Sequence, residues 1–149
     1  VYLARLNTII GFSVFYPAPG SIDYQTCTQR HLLPDTFEQM RSTALPIEDK
    51  TSRIQSVTLL RLARIINFIK ALKQDGFQPI VPEKFYPCTL PVSVDRRDNT
   101  LKLLQWFLND GKIRGIDPGG NIFEHSVDLE LTRTFLSKLS PEDMVQAQP

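Results

Sequence analysis

The sequence predicts a single α+β domain, and three stretches of the chain carry that prediction. Residues 53–74 repeat apolar side chains at helical spacing over an arc of about 200°, which predicts a central buried helix packed on most sides. Residues 112–124 hold two β-prone stretches around a Pro-Gly-Gly turn, which predicts a hairpin. Residues 77–94 combine closely spaced prolines with many apolar side chains, so we expect an extended segment that crosses the core. The length of 149 residues fits one globular domain spanning 1–149.

The N-terminal residues 1–16 are apolar and rich in side chains that favour strands. Val14 and Phe15 are β-formers, so we expect an N-terminal strand region. The apolar run also has the order of a signal peptide. It is short, however, and Gly11 and Ser13 interrupt it, so a core strand is the preferred interpretation.

The stretch 17–50 has a weak pattern and is predicted to be irregular. Residues 34–40 suggest a short helix that opens at Pro34. At the other end of the chain, the tail 145–149 is expected to fray, as the ends of domains commonly do.

Capping residues set the expected ends of the central helix. Asp49, Thr51 and Ser52 are the candidate N-caps, because each carries a side-chain oxygen that can accept from the first helical N–H groups. Gly76 suits the left-handed conformation that ends many helices. The sequence therefore predicts one continuous helix over 53–74.

Two further helices are expected on either side of the hairpin. The first covers 96–110, begins after Asp95 and ends at Gly111. The second runs from about Asp128 to Leu139. The C-terminal part is thus predicted to have the order helix, hairpin, helix.

The hairpin turn is predicted to centre on Pro118 and Gly119. Proline fixes φ near −65° at the second position of a four-residue turn, and glycine at the third accepts the positive φ of a type II turn. Gly120 would then form a bulge. The flanking apolar residues should rest at least one hairpin face on helix 96–110; they are Ile113, Ile116, Ile122 and Phe123.

The overall charge excludes nucleic-acid binding that relies on a strongly basic protein as a whole. Seventeen basic and sixteen acidic residues give a formal net charge of +1, so only a local patch would attract nucleic acid or an anionic membrane. The 42% apolar and 22% charged composition is that of a globular protein rather than a disordered one. No stretch is long and apolar enough to predict a transmembrane segment.

A helix followed directly by a β-hairpin resembles the end of a winged-helix domain. The resemblance covers some 45 residues and implies that the helix meets the DNA major groove while the hairpin acts as a wing. It would assign phosphate contacts to Arg96, Arg97, Lys102, Lys112 and Arg114. Against this, the helix has the apolar pattern of a core element, and many winged-helix domains are similar in fold but bind only protein.

The sequence offers little catalytic or metal chemistry, and no cofactor is predicted. Cys27 and His31 have helical spacing for a zinc pair, which Cys88 and His125 would have to complete, but a closely spaced second pair is missing. A thiol–histidine pair drawn from the same four residues is equally unspecific. The preferred interpretation is two free cysteines and no metal site, with a disulfide as the alternative. The compartment stays open, with the cytoplasm slightly favoured.

Arg61 stands out because it lies near the middle of the apolar arc of helix 53–74. Either its stem lies on the core and its charged end reaches water, or it forms a buried ion pair or an anion site. We therefore retain Arg61 as a candidate site.

These observations predict a non-enzymatic protein-interaction or assembly subunit whose partner is another protein chain, either a second copy or a different protein. Nucleic-acid binding through the winged-helix-like half is the alternative, and an enzyme of unknown type is the third hypothesis.

Overall fold

The computed structural model describes residues 6, 8–12, 16–36, 50–76 and 95–139, and it has the predicted mixed α+β character. Within these ranges the elements follow in the order α1, α2, α3, β1, β2 and α4. Their bounds are Ile22–Gln29 for α1, Arg53–Gln74 for α2, Arg96–Asp110 for α3, Arg114–Ile116 for β1, Ile122–Glu124 for β2 and Leu129–Lys138 for α4.

Helix α2 has the predicted bounds because its ends carry the expected caps. The Ser52 hydroxyl accepts from the Gln55 N–H at 3.2 Å, and the Gln55 side chain accepts from the Ser52 N–H at 2.9 Å. This reciprocal capping box satisfies two N–H groups that the helix itself leaves unpaired. At the other end, Gly76 follows the last turn with φ of 84°.

Replacing Ser52 by alanine is expected to lower the free energy of unfolding by about 1 kcal/mol, because the capping oxygen is lost. The matched control is Thr51→Ala, which removes a neighbouring hydroxyl that the sequence also proposed as a cap. Urea unfolding of both variants measures the difference. Equal losses in the two variants would contradict the assignment of Ser52 as the cap.

The core lies where α2, α3 and α4 meet, with α2 packed against α4 and α3 in contact with β1. The rings of Phe107 in α3 and Phe135 in α4 are in tilted contact, with 5.9 Å between their centroids. Burying this apolar surface is the main stabilising contribution of the described residues. The buried cluster comprises Leu62, Ile66, Ile69, Leu72, Leu101, Leu104, Phe107, Leu108, Ile113, Phe135 and Leu139.

A polar contact fixes the start of α4 against α2. The Asp128 carboxylate caps α4 by accepting from the Leu131 N–H, while the Asp128 N–H donates to the Thr58 hydroxyl at 2.9 Å. Thr58 is fully buried in α2 and in turn donates to the Ile54 carbonyl. The start of α4 is therefore held beside the second turn of α2.

The hairpin is present, but its turn differs from the predicted one. The Gly120 N–H donates to the Asp117 carbonyl at 2.9 Å, so Pro118 and Gly119 are central as expected. The positive φ of 85° belongs to Gly120, however, and Gly119 has none. This fits the common three-residue loop in which a left-handed residue follows a type I turn, a geometry that matches the strand twist. The type II assignment was wrong.

The predicted N-terminal strand is not seen in the described part of that region, residues 6, 8–12 and 16. Instead, the Asn67 side chain of α2 pairs with both backbone groups of Ile10: its amide donates to the carbonyl and its oxygen accepts from the N–H, each at 2.8 Å. A side-chain amide thus takes the place of a neighbouring strand. Val14 and Phe15 lie outside the described residues.

The stretch predicted to be irregular, 17–50, contains helix α1. The Ser21 hydroxyl caps it by accepting from the Tyr24 N–H at 3.1 Å, and Asp23 lies in its first turn. Apolar side chains are not segregated to one face of this short helix, so periodicity does not reveal it. The cap and the acidic first turn were the available signals.

Several other predicted features lie wholly or partly outside the described residues. Pro34 to Thr36 are not helical, and residues 37–40 are not described. The Pro-rich crossing 77–94 and the tail 145–149 are also outside the described residues, so both stay predictions.

Candidate interaction surface

Strand β2 is the exposed side of the hairpin. All three of its residues are exposed, whereas β1 is partly covered and contacts α3. Ile122 and Phe123 retain 39% and 43% of their accessible surface. The predicted contact with α3 is therefore made through β1 and the buried Ile113, not through β2.

The Phe123 ring lies over the backbone of Gly115, its partner across the ladder. A Cβ atom at position 115 would lie 2.6 Å from Phe123 Cζ and 3.2 Å from His125 Nε2, so only glycine fits there without a shift. Phe123 also meets the His125 ring edge-on, with 4.9 Å between centroids. The two rings therefore form one aromatic surface at the hairpin.

Lys112 and Arg114 belong to a charge cluster with two acids. Arg114 pairs with Asp110, with 3.1 Å between Nη1 and Oδ1, and with Glu124 at 3.3 Å. Lys112 pairs with Glu124 at 3.1 Å. Arg114 is only 14% exposed and lies over the Trp106 ring at 5.7 Å. The four charges cancel, so this side of the hairpin is not a positive surface.

The cluster also perturbs the protonation of its members. Burial acts to raise the pKa of Asp110, but hydrogen bonds from the Arg114 guanidinium and the Lys112 N–H outweigh it and hold the pKa below its ordinary value. The hydrogen bond to Asp110 raises the pKa of Arg114. Both groups therefore stay charged at neutral pH, and the pairing persists there.

The other proposed phosphate contacts lie on α3 and are not gathered with the hairpin pair. Arg96 is exposed at the first helical position, and Lys102 is partly buried in the second turn. Arg97 pairs with Asp75 at 2.7 Å, beyond the C-terminus of α2. Lys112 and Arg114 share a partner, Glu124.

Arg61 reaches from α2 to the residue that follows β2. Its Nη2 donates to His125 Nδ1 at 3.0 Å, while Nη1 is buried and has no hydrogen-bond partner in the described part of the chain. Arginine has no lone pair to offer, so His125 Nδ1 must be the acceptor and the neutral ring carries its proton on Nε2. Burial, and then the nearby Arg64, lower the pKa of Arg61. Within the guanidinium, Nη1 is therefore shut off from water, while the Arg61 side chain as a whole is partly buried.

His125 was not proposed as a partner of Arg61, because 64 residues separate the two. Its pKa is lowered, first by burial and then by the positive charge of Arg61. The hairpin and the Thr58–Asp128 hydrogen bond bring it to α2. Only the tertiary fold reveals this pair.

The free energy of unfolding is expected to fall as pH is lowered from about 7.5 to about 5.5, across the ordinary pKa of histidine. The folded-state pKa of His125 is depressed, so the unfolded chain takes up the proton first and this part of the stability is lost. His125→Asn keeps a side-chain acceptor without titrating and should flatten the loss. His31→Asn, at a residue with φ of 53° that suits asparagine, is the control that retains it. Equal losses in wild type and His125→Asn would contradict the prediction.

The zinc hypothesis needs Cys88, which lies outside the described residues, so it stays a prediction, as do the thiol–histidine pairs that use Cys88. Cys27 is a free, fully buried thiol, and burial followed by Asp23 raises its pKa. Cys88 is not described. No group of three or more metal-binding side chains occurs in the described ranges.

Comparisons of the chain with protein-family models, with curated proteins and with solved structures find no match. Among the described helices, none combines the length and apolar character that crossing a bilayer requires. The candidate function is therefore inferred from the surface itself.

Proposed function

We propose that this chain is a non-enzymatic protein-interaction or assembly subunit, and that β2 is the edge through which it pairs with a second copy. The observation that carries the proposal is an open, exposed strand edge beside a neutral charge cluster. Each part of this surface favours a protein partner.

The backbone of β2 has hydrogen-bonding groups that point away from β1. Just after β2, the His125 N–H donates to the Ile113 carbonyl. At the turn end of the ladder, the Asp117 N–H donates to the Asn121 carbonyl. In an antiparallel ladder hydrogen-bonded pairs alternate with non-bonded ones, so Ile122 and Glu124 turn their N–H and C=O groups outward. An outward row of this kind is the template on which a partner adds a strand.

The outward N–H and C=O groups of Ile122 and Glu124 are self-complementary. If two copies meet antiparallel about a two-fold axis at Phe123, Ile122 of one copy faces Glu124 of the other and exchanges both backbone hydrogen bonds with it. The two Phe123 side chains then face each other as a close cross-strand aromatic pair. The result is a four-stranded sheet, which is more stable in water than an isolated two-stranded hairpin.

Light scattering tests this assembly. The chain has a mass of 17.0 kDa, and we expect the purified wild type to show twice that mass. Phe123→Lys and Phe123→Glu should each give a monomer, because like charges would face each other across the axis. An equimolar mixture of the two variants should recover the dimer, since Lys then faces Glu.

Ile22→Lys is the matched control, because Ile22 is 80% exposed but lies on α1. It should leave the mass unchanged. A monomeric wild type at high concentration, or a mixture of charged variants that stays monomeric, would contradict pairing through β2.

Nucleic-acid binding is the second candidate, and the order α3, β1, β2, α4 is the observation that favours it. The winged-helix resemblance would place α3 in the groove and the hairpin against phosphates. Lys112 and Arg114 already have acidic partners, which lowers the charge left for phosphate. Retention on random DNA at low salt, lost in the Lys112→Glu, Arg114→Glu double variant, would support this candidate over the first.

A further inference from the structure

Arg61 is a partly buried guanidinium that has no anionic partner among the described residues. Its Nη2 is bound to a neutral imidazole, and its Nη1 is shut off from solvent with no acceptor in the described residues. Burial, and then the positive charge of Arg64, lower its pKa. No carboxylate is paired with it in the part of the chain that the structure describes.

This arrangement is costly unless something completes it. A buried lysine relieves the cost by losing its proton, but arginine keeps its charge inside proteins. A buried N–H group without an acceptor also forfeits the hydrogen bond that it makes in water. An oxyanion bound at Nη1 would remove both costs at once, because it supplies the missing acceptor and the opposite charge.

We propose that Arg61, held by His125, is a binding site for an oxyanion of the carboxylate or phosphate class. His125 Nδ1 fixes the guanidinium through Nη2 and leaves Nη1 for the ligand. Arg64, one helical turn further along α2, adds positive charge to the same region. The site adjoins the β2 edge, because His125 contacts Phe123, but the Arg61–His125 pair lies within one chain.

Nη1 has no exposed surface, so an oxyanion can bind it only after a local movement of neighbouring side chains. Arg61 and His125 are both only partly buried, and the exposed Phe123 ring rests edge-on against His125. Because both members of the Arg61–His125 pair are only partly buried, a local shift of side chains on this side of α2 would admit the ligand.

Inorganic phosphate is the first probe, and sodium acetate is the second. In the first measurement, the full chain is heated in chloride buffer with increasing phosphate at constant ionic strength. In the second, the His125 imidazole signals are followed by NMR over the same phosphate range, and His31→Ala assigns them. We expect a saturable rise in Tm and a saturable shift of His125 with the same midpoint. A response to acetate at a comparable concentration assigns the carboxylate class, and a response to phosphate alone assigns the phosphate class.

Arg61→Met should weaken both responses about tenfold or more, because hydrogen bonds to charged groups are lost. Arg133→Met removes an exposed arginine from α4 and should respond like the wild type. The NMR titration of the wild type needs no variant to fold. Two results would overturn the proposal: no saturable response of the wild type to either anion, or an undiminished response in Arg61→Met.

Discussion

Phe107→Ala is expected to lower the free energy of unfolding by about 3–5 kcal/mol, the range for removing a buried aromatic side chain. Phe107 is 2% exposed and joins α3 to α4 through its contact with Phe135. Its loss removes apolar burial and leaves a cavity at the point where three helices meet. Urea unfolding of the purified variant measures the change.

Phe12→Ala is the matched control, because Phe12 is 41% exposed and lies outside the buried cluster. Its loss is expected to be far smaller. A decrease below about 1 kcal/mol for Phe107→Ala would contradict the packing of α2, α3 and α4 around a common core.

Arg61→Met is expected to raise the free energy of unfolding in chloride buffer by about 1–3 kcal/mol, because it removes a buried donor that has no acceptor among the described residues. Methionine is flexible enough to fill the space of the arginine stem without leaving an unpaired charge. His125 loses a donor but is partly exposed, so water replaces it. Chemical unfolding at pH 7 measures the change.

The sign of this change is informative. Arg133→Met, on the exposed side of α4, is expected to change stability little. If Arg61→Met instead lowered the stability by several kcal/mol, the guanidinium would already have an anionic partner within the protein, and its description as unpaired would be wrong.

The helices were predictable because their signals are local. Ser52 and Gly76 mark the ends of α2, and Asp95 and Gly111 mark those of α3, so pattern and caps agree at each end. Helix α1 was missed because its one strong signal is the cap at Ser21.

The hairpin shows where local reasoning stops. Its position followed from the turn residues, but the choice between Gly119 and Gly120 for the left-handed conformation depends on strand twist, which the sequence pattern does not encode. The pairing of Arg114 with Glu124 could have been derived from the hairpin register. It would have shown in advance that the basic residues are neutralised.

The candidate sites depended on long-range contacts. Arg61 was recognisable as unusual, because a charge lay in an apolar arc, but its partner His125 is distant in sequence. Likewise, Asn67 replaces the expected strand partner of Ile10 across a separation of 57 residues. Such contacts depend on how the helices and strands pack against each other, and a single sequence does not give that packing.

The central claim is that the β2 edge pairs with a second copy, and amide hydrogen exchange at that edge tests it most directly. The Ile122 and Glu124 N–H groups have no partner in the described structure of one chain. At concentrations where the wild type is dimeric, we predict that both exchange slowly. In monomeric Phe123→Lys both should exchange quickly, while the backbone N–H groups of positions 115 and 123, which pair within the hairpin, stay protected. Equally fast exchange of Ile122 and Glu124 in the wild type and in Phe123→Lys would contradict the claim.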